Sequence, residues 1–203
     1  MENWPNTHTK IHFVIMGLLT ILFFIPAFAD ENTEEIIESV TIIGSKDDQK
    51  KLAGSGQIIS NDDLLKAMDT DIQKILTAVP GLYMRTEEGY GLRPNISIRG
   101  TAIERSAKVA IMEDGVLVAP SPYTSSSAYY FPTTGRIHSV EVLKGPAAVT
   151  QGPQTIGGAI NLISTPIPNA PSGKFTQELG ENGMKRTHLY AGGTSGNFGG
   201  LVE

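Results

Sequence analysis

The chain has 203 residues, a formal net charge of −5, and 40% hydrophobic against 18% charged residues. That balance is globular and excludes wholesale disorder, and the mild acidity lacks the excess positive charge that a nucleic-acid partner requires. With no cysteine, disulfide frameworks, thiolate metal sites and cysteine nucleophiles are excluded, while 22 glycines and 12 prolines suit short strands joined by turns.

Residues 1–29 read as a secretory signal peptide. Lys10 precedes an apolar run from Phe13 to Ile25, Pro26 ends it, and Ala27-Phe28-Ala29 offers a small-x-small cleavage site. A membrane-spanning helix needs about 20 apolar residues, more than this run supplies. Residues 30–52 read as a flexible tail, because Asp30, Glu31, Glu34, Glu35 and Glu38 repel one another with no base among them. Within that tail, Val40-Thr41-Ile42-Ile43 is a β-branched run, poor as helix and good as strand. A lone strand either joins its own domain's sheet or adds to the sheet edge of a partner, and the residues alone leave both open.

Residues 60–79 carry a helical period. Leu64, Leu65, Met68, Ile72, Ile75, Leu76 and Val79 form the apolar stripe, with Lys66, Asp69, Asp71, Gln73 and Lys74 opposite. Ser60 is placed to cap this helix and Pro80-Gly81 to stop it. Strands follow at 96–99, at 108–118 as a hairpin turning on Asp114-Gly115, at 137–143 and at 159–163. They predict an α/β (α+β) domain with a small mixed sheet over 53–165. Two long insertions, 83–94 and 119–134, interrupt it, and loops of that length usually carry function. After Pro166, Pro168 and Pro171, strands at 175–179 and 187–191 form a hairpin, and 199–203 begins a further strand. The last element is cut off in progress, so the chain reads as an N-terminal fragment.

Ile98-Arg99-Gly100, Met112-Glu113-Asp114-Gly115-Val116 and the run from Val140 to Ser164 together resemble the TonB-dependent outer-membrane receptors. The plug domain of that family closes with a strand, a basic residue and Gly-Pro, a Tyr-Gly step, a Gly-Gly pair and an Asn-rich strand. Here these are Lys144-Gly145-Pro146, Gln151-Gly152, Gly157-Gly158 and Asn161, with Gln151 departing where an aromatic residue is usual. Gly152-Pro153-Gln154, Ile156-Gly157-Gly158 and Pro120-Ser121-Pro122-Tyr123 resemble the ferric citrate receptor branch more narrowly. The short spacing between the cleavage site and Glu38 implies no signalling domain ahead of the plug, hence a transporter that does not signal by that route.

The resemblance implies a plug at 53–165 followed at 166–203 by the first strands of a transmembrane β-barrel. It implies a TonB-dependent importer of ferric chelates, iron-siderophore or ferric citrate-like, in the outer membrane of a Gram-negative cell. Plug and tail would face the periplasm, and TonB with its inner-membrane complex would energise transport. Glu38, Ser39, Val40, Thr41, Ile42, Ile43 and Gly44 would form the TonB box. Arg99 and Lys144 would face carboxylates on the barrel wall and lock the plug in place. Two apical loops would offer Arg85, Tyr90, Arg93, Tyr123, Thr124, Ser125 and Tyr129 to the ligand, arginine matching carboxylates in two-pronged fashion and hydroxyls satisfying the remaining oxygens. Iron would travel inside the chelate, so neither a cofactor nor a protein metal site is expected. The alternative from another class is a freestanding periplasmic binding or interaction domain without transport. Enzymatic readings find no support: His138 and His188 lack metal-ligand spacing, no serine sits in a nucleophile elbow, and the glycines lack a phosphate-loop ending.

Overall fold

Strand β6, Ile137–Lys144, is the longest strand of the main sheet and is flanked on both edges. The structure, a computed structural model, describes residues 41–67, 71–86, 94–118, 131–132 and 134–203. β6 pairs antiparallel with β1, Ser55–Ile59, on one side and with β7, Gly158–Ser164, on the other. β7 lies parallel to β4, Val109–Glu113, which turns through Asp114-Gly115 into β5, Val116–Leu117. The five-stranded mixed sheet therefore runs β1-β6-β7-β4-β5, and the expected small mixed sheet is present. A separate antiparallel pair joins β2, Leu82–Thr86, to β3, Pro94–Ile98.

Period-two alternation gives the main sheet two apolar faces, as a sheet covered on both sides requires. Val140 and Val142 of β6, Ile160 and Leu162 of β7, and Val109 and Ile111 of β4 pack on one side with Ile75, Leu76 and Val79. Leu143, Ala159, Ala110 and Met112 face the other side, where Ile43 and Ala148 cover them. The hairpin expected at 108–118 is buried from Val109 to Met112 of β4, whereas Val116 of β5 is exposed.

The single helix expected over 60–79 is two. α1, Lys46–Gln49, precedes the sheet within the stretch read as a tail, while α2, Asn61–Ala67, and α3, Ile72–Thr77, divide the predicted helix. Ser60 caps α2 as expected, its Oγ accepting from Asp63 N at 3.4 Å. Asp71 starts α3 afresh: its backbone is extended, at φ −115° and ψ 113°, and its side chain accepts from Gln73 N. A carboxylate that bonds its own backbone competes with helix continuation, which the apolar period alone does not register. The stripe changes with it, for Gln73 is buried and Leu65 is 52% exposed. Met68 and Asp69 lie outside the described residues.

The last part of the chain is a meander: β8, Ser172–Leu179, pairs with β9, Lys185–Ser195, and β9 with β10, Phe198–Val202. Phe175, Leu179, Leu189, Phe198 and Val202 share one face by register with Gln177, Lys185 and Thr187, and these five apolar side chains are all exposed. Thr176, Glu178, Arg186, His188 and Tyr190 share the other. That second face meets the sheet domain through polar contacts: Arg186 Nη2 donates to Thr134 Oγ1 at 2.8 Å, and Glu203 accepts from Thr165 Oγ1 at 3.1 Å while lying 2.8 Å from His188 Nε2. A cleft of about 570 Å³ separates α2 from the meander.

Gly158 is needed at the start of β7 because a Cβ there would lie 2.2 Å from the Leu143 carbonyl oxygen and 2.9 Å from Ile98 Cδ1. Gly158→Ala is expected to destabilise the fold by about 2–3 kcal/mol through overpacking against backbone. A lowered urea midpoint checks this; an unchanged midpoint would contradict the tight β6–β7 approach.

Candidate functional site

Three loci carry the predicted site residues. The first is the end of the box segment. Glu38, Ser39 and Val40 lie outside the described residues, and Thr41, Ile42, Ile43 and Gly44 are not a strand but a pair of bends. They are not a free tail either. The N–H groups of Ile42, Ile43 and Gly44 donate to the carboxylate of Glu141 at 2.6, 3.1 and 2.9 Å. Gly44 adopts φ +83°, and the consecutive donors form the concave N–H cluster that binds anions. The Ile43 side chain is buried, 6% exposed, in the second apolar cluster. Immediately afterwards Ser45 caps α1: Asp48 N donates to Ser45 Oγ at 3.2 Å, and Ser45 Oγ donates to Asp48 Oδ2 at 2.6 Å. That hydroxyl bond, with Lys51 alongside, holds the Asp48 carboxyl below its ordinary range.

Glu141 occupies the middle of β6, and only 2% of it is exposed. A carboxylate at that depth requires donors on its oxygens. Besides the three backbone groups, Asn161 Nδ2 on β7 donates to it at 3.2 Å, and Asn161 Oδ1 in turn accepts from Gly115 N at 2.9 Å. The register aligns Ile58, Glu141, Asn161 and Met112 across four strands, so the polar pair sits inside an otherwise apolar row. Sequence reasoning missed Glu141. The signal was available: an acid between Val140 and Val142, in a strand whose neighbours are apolar on both faces, needs a partner.

The second locus joins Arg99 and Lys144, which the fold brings together from the ends of β3 and β6. Arg99 is exposed at φ +55°, and its guanidinium lies against Gly145, where an added Cβ would stand 2.9 Å from Nη1. Lys144 is 5% exposed, and its Nζ donates to the Pro80 carbonyl at 3.0 Å. Burial, and secondarily the Arg99 charge, push the Lys144 ammonium below its ordinary value. Among the described residues no carboxylate pairs with either cation. Two like charges held side by side, one of them desolvated, form a ready site for an anion.

The third locus is the pair of long insertions. The first is shorter than the expected 83–94, because β2 takes in Tyr83 and Arg85. Arg85 stands opposite Asn95 on β2, exposed. The pairing was not legible because Tyr83-Met84-Arg85 alternates inward and outward only through Leu82 and Met84. Tyr90, Arg93, Tyr123, Thr124, Ser125 and Tyr129 lie outside the described residues, as does the signal segment. Among the described residues no group of three or more His, Asp or Glu side chains could hold a metal ion.

Comparison with known proteins gives a consistent picture. Residues 48–159 match the TonB-dependent Receptor Plug Domain family. The vitamin B12 transporter BtuB of Photobacterium profundum is 24% identical over 171 residues, which is 84% of this chain and 27% of that protein. Among solved structures, the unliganded ferric citrate transporter FecA superposes with a TM-score of 0.65 at 26% identity, over 78% of this chain and 26% of FecA. The ferric yersiniabactin uptake receptor FyuA of Yersinia pestis shares the fold at TM-score 0.55 and 24% identity, over 71% of this chain and 22% of FyuA. The chain thus spans about a quarter of the length of these relatives.

The Lys144 ammonium yields a pH test. Its folded-state value lies below the ordinary 10.5, so between the two values the unfolded chain binds more protons and stability rises with pH. The burial penalty is fully present below that window and is relieved as pH climbs through it. Against Lys144→Met, the thermal midpoint of the 203-residue chain is expected to gain as pH rises toward 10.5; parallel profiles for the two proteins would contradict the desolvated ammonium.

Proposed function

The chain belongs to the TonB-dependent receptor plug domain family, and from that premise we propose that the full protein imports ferric chelates across the outer membrane of a Gram-negative cell. The observation that carries this reading is the meander after the plug. Its exposed face presents Phe175, Leu179, Leu189, Phe198 and Val202 beside Gln177, Lys185 and Thr187, while Glu178, Arg186 and His188 lie on the face turned toward the plug. Apolar outward and polar inward with a two-residue period is the pattern of a strand that meets lipid on one side and a plugged lumen on the other.

In this reading the barrel wall supplies carboxylates to Arg99 and Lys144. The two cations have none among the described residues, and a buried ammonium without a counter-ion is costly to keep. Meeting a wall carboxylate would fix the plug at the ends of β3 and β6 together. Residues 38–44 serve as the TonB box, adding a strand to the sheet of TonB so that backbone hydrogen bonds carry the pull. The ligand floor is assigned to Arg85, Tyr90, Arg93, Tyr123, Thr124, Ser125 and Tyr129. Ferric citrate is the first cargo to test, supported by the branch-like Gly152-Pro153-Gln154 pattern and the similarity to FecA. No resident cofactor enters this reading, since the iron arrives within its chelate.

Two outcomes are expected of the full-length protein. Deleting residues 38–44 should abolish uptake of labelled ferric citrate by cells while leaving chelate binding intact; equal loss of both would remove the box assignment. Arg85→Ala combined with Arg93→Ala should weaken chelate binding by about tenfold or more, the loss of at least one charge-assisted contact. Titration across ferric citrate, common ferric siderophores and cyanocobalamin reads both the effect and the cargo, and unchanged affinity would take these arginines out of the site.

A further inference from the structure

Residues 165–171, Thr-Pro-Ile-Pro-Asn-Ala-Pro, join β7 of the plug to β8 of the meander. A free connection there would be a leash on which the plug could swing or leave. This one is a strap laid along the strands. Its prolines fix φ at 166, 168 and 171 and remove three N–H donors, so the segment is stiff and has few backbone groups to satisfy. Thr194 Oγ1 of β9 donates to the Pro168 carbonyl at 2.9 Å. Ile167 lies over Gly199 of β10, where a Cβ would stand 3.1 Å from Ile167 Cγ2, and Pro171 passes Gly193 of β9, where a Cβ would stand 2.8 Å from Pro171 Cα. Glycine weakens a strand, and here it admits a second stretch of backbone at close range. Thr194 and Gly199 are register partners, and alternation puts Thr194 on the face of His188 and Tyr190, which is turned toward the plug. The start of the connection is held from the other side. Ser164 donates to the Asp114 carboxylate through N at 2.9 Å and through Oγ at 2.6 Å, and Thr165 N donates to the Arg136 carbonyl at 3.0 Å. The main chain is thus fixed to the plug as far as Thr165 and to the meander from Ile167 onward.

We propose that residues 167–171 stay on the inner face of the barrel wall throughout import and that Thr165-Pro166 is the pivot on which the plug tilts, with Thr194 and Gly199 as the residues that position the strap. The inference rests on the import reading above. Hinges are short element-terminal stretches that absorb a change in φ and ψ between two held parts, and only this dipeptide lies between the two holdings. The pivot sits at the Ile137 and Ser164 end of the main sheet, because β6 starts and β7 ends there. Lys144 is at the other end of β6, about 23 Å away at the rise of an extended strand, and Arg99 stands beside it. A tilt on this pivot therefore moves the Arg99 and Lys144 end most and leaves the strap in place. Close to the pivot, the polar contacts from Thr134 and Gly135 to Arg186 and His188 must part for the plug to turn. Holding the plug at that second point would stop the tilt, whereas holding the strap would not.

Two reversible locks in the full-length receptor separate these cases, and the 203 residues hold no cysteine to interfere. The strap lock is Ile167→Cys with Gly199→Cys, in which the first change removes the methyl that a Cβ at 199 would meet. The seam lock is Gly135→Cys with His188→Cys, where a Cβ at 135 would lie 3.6 Å from His188 Cγ. Disulfide formation under copper phenanthroline is read in detergent as loss of maleimide-reactive thiol. Uptake by cells is then followed before and after oxidation, and again after dithiothreitol, so each reduced variant serves as its own folding control. The probe is labelled ferric citrate, or the compound of the titration above that binds in its place. The strap pair should close readily, and closing it should leave uptake equal to that of its reduced form. Closing the seam pair should abolish uptake until reductant restores it. A strap pair that does not close would overturn the clamp, and loss of uptake on closing it would show that the strap must leave the wall. Undiminished uptake with the seam closed would overturn the pivot. Failure of the import reading looks different: both pairs close, and the wild-type receptor takes up none of the panel.

Discussion

The carboxylate of Glu141 governs how the N-terminal segment and the sheet fit together. Its strand is apolar on both faces, so an acid at its centre is tolerable only if every route to water is replaced by a donor. β7 supplies one through Asn161, and the remaining donors come from backbone nearly a hundred residues earlier in the chain. Side-chain donors could have served, but backbone N–H groups bring no charge of their own and place Ile43 directly over the small side chains Ala148 and Ala159. Polar satisfaction and apolar cover are thus achieved by the same short segment. Gly56 on β1 makes room for this: a Cβ there would meet Leu52 Cδ1 at 2.5 Å and Ile43 Cδ1 at 3.0 Å.

A related economy operates at the opposite end of β6. Lys144 follows Leu143 into the buried region, and β3 delivers Arg99 beside it across Gly145. Burial of the ammonium, and secondarily the Arg99 charge, make this corner costly, and Lys144 donates to the Pro80 carbonyl there. Such a pair gains most from a carboxylate that belongs to another part of the protein.

Much of this fold was legible because β-branched alternation is strong in β3, β4, β6 and β7, and because Asp114-Gly115 marks its turn without ambiguity. β1 was not, since Ser55-Gly56-Gln57 contains nothing that reads as strand until Ile58, and its place depends on pairing with β6. The break between α2 and α3 escaped notice because helical period counts apolar positions and ignores a carboxylate free to cap its own backbone at Asp71. At the candidate site, the pairing of Arg99 with Lys144 was foreseeable from two strand ends beside glycines. The conformation of residues 41–44 was not. Their β-branched composition favours an extended chain; the acid at 141 signals its need for donors within its own strand, but nothing local says that residues 42–44 supply them.

The contacts between the plug and the meander bear on how a plug can move. The apolar clusters lie within the plug, whereas the bonds across to the meander are polar, from Arg186 to Thr134 and from Thr165 to Glu203, which also contacts His188 within the meander. Water can replace polar partners at small net cost, but it cannot replace a buried isoleucine. Displacement along such a boundary would leave both cores intact, while unfolding the sheet would expose them. β6 is held by hydrogen bonds on both of its edges acting together, seven register pairs with β7 and five with β1. The polar seam, by contrast, has no ladder of hydrogen bonds behind it, only single side-chain contacts. Relative movement of the two parts would accordingly separate the polar seam before it unravelled the doubly paired sheet.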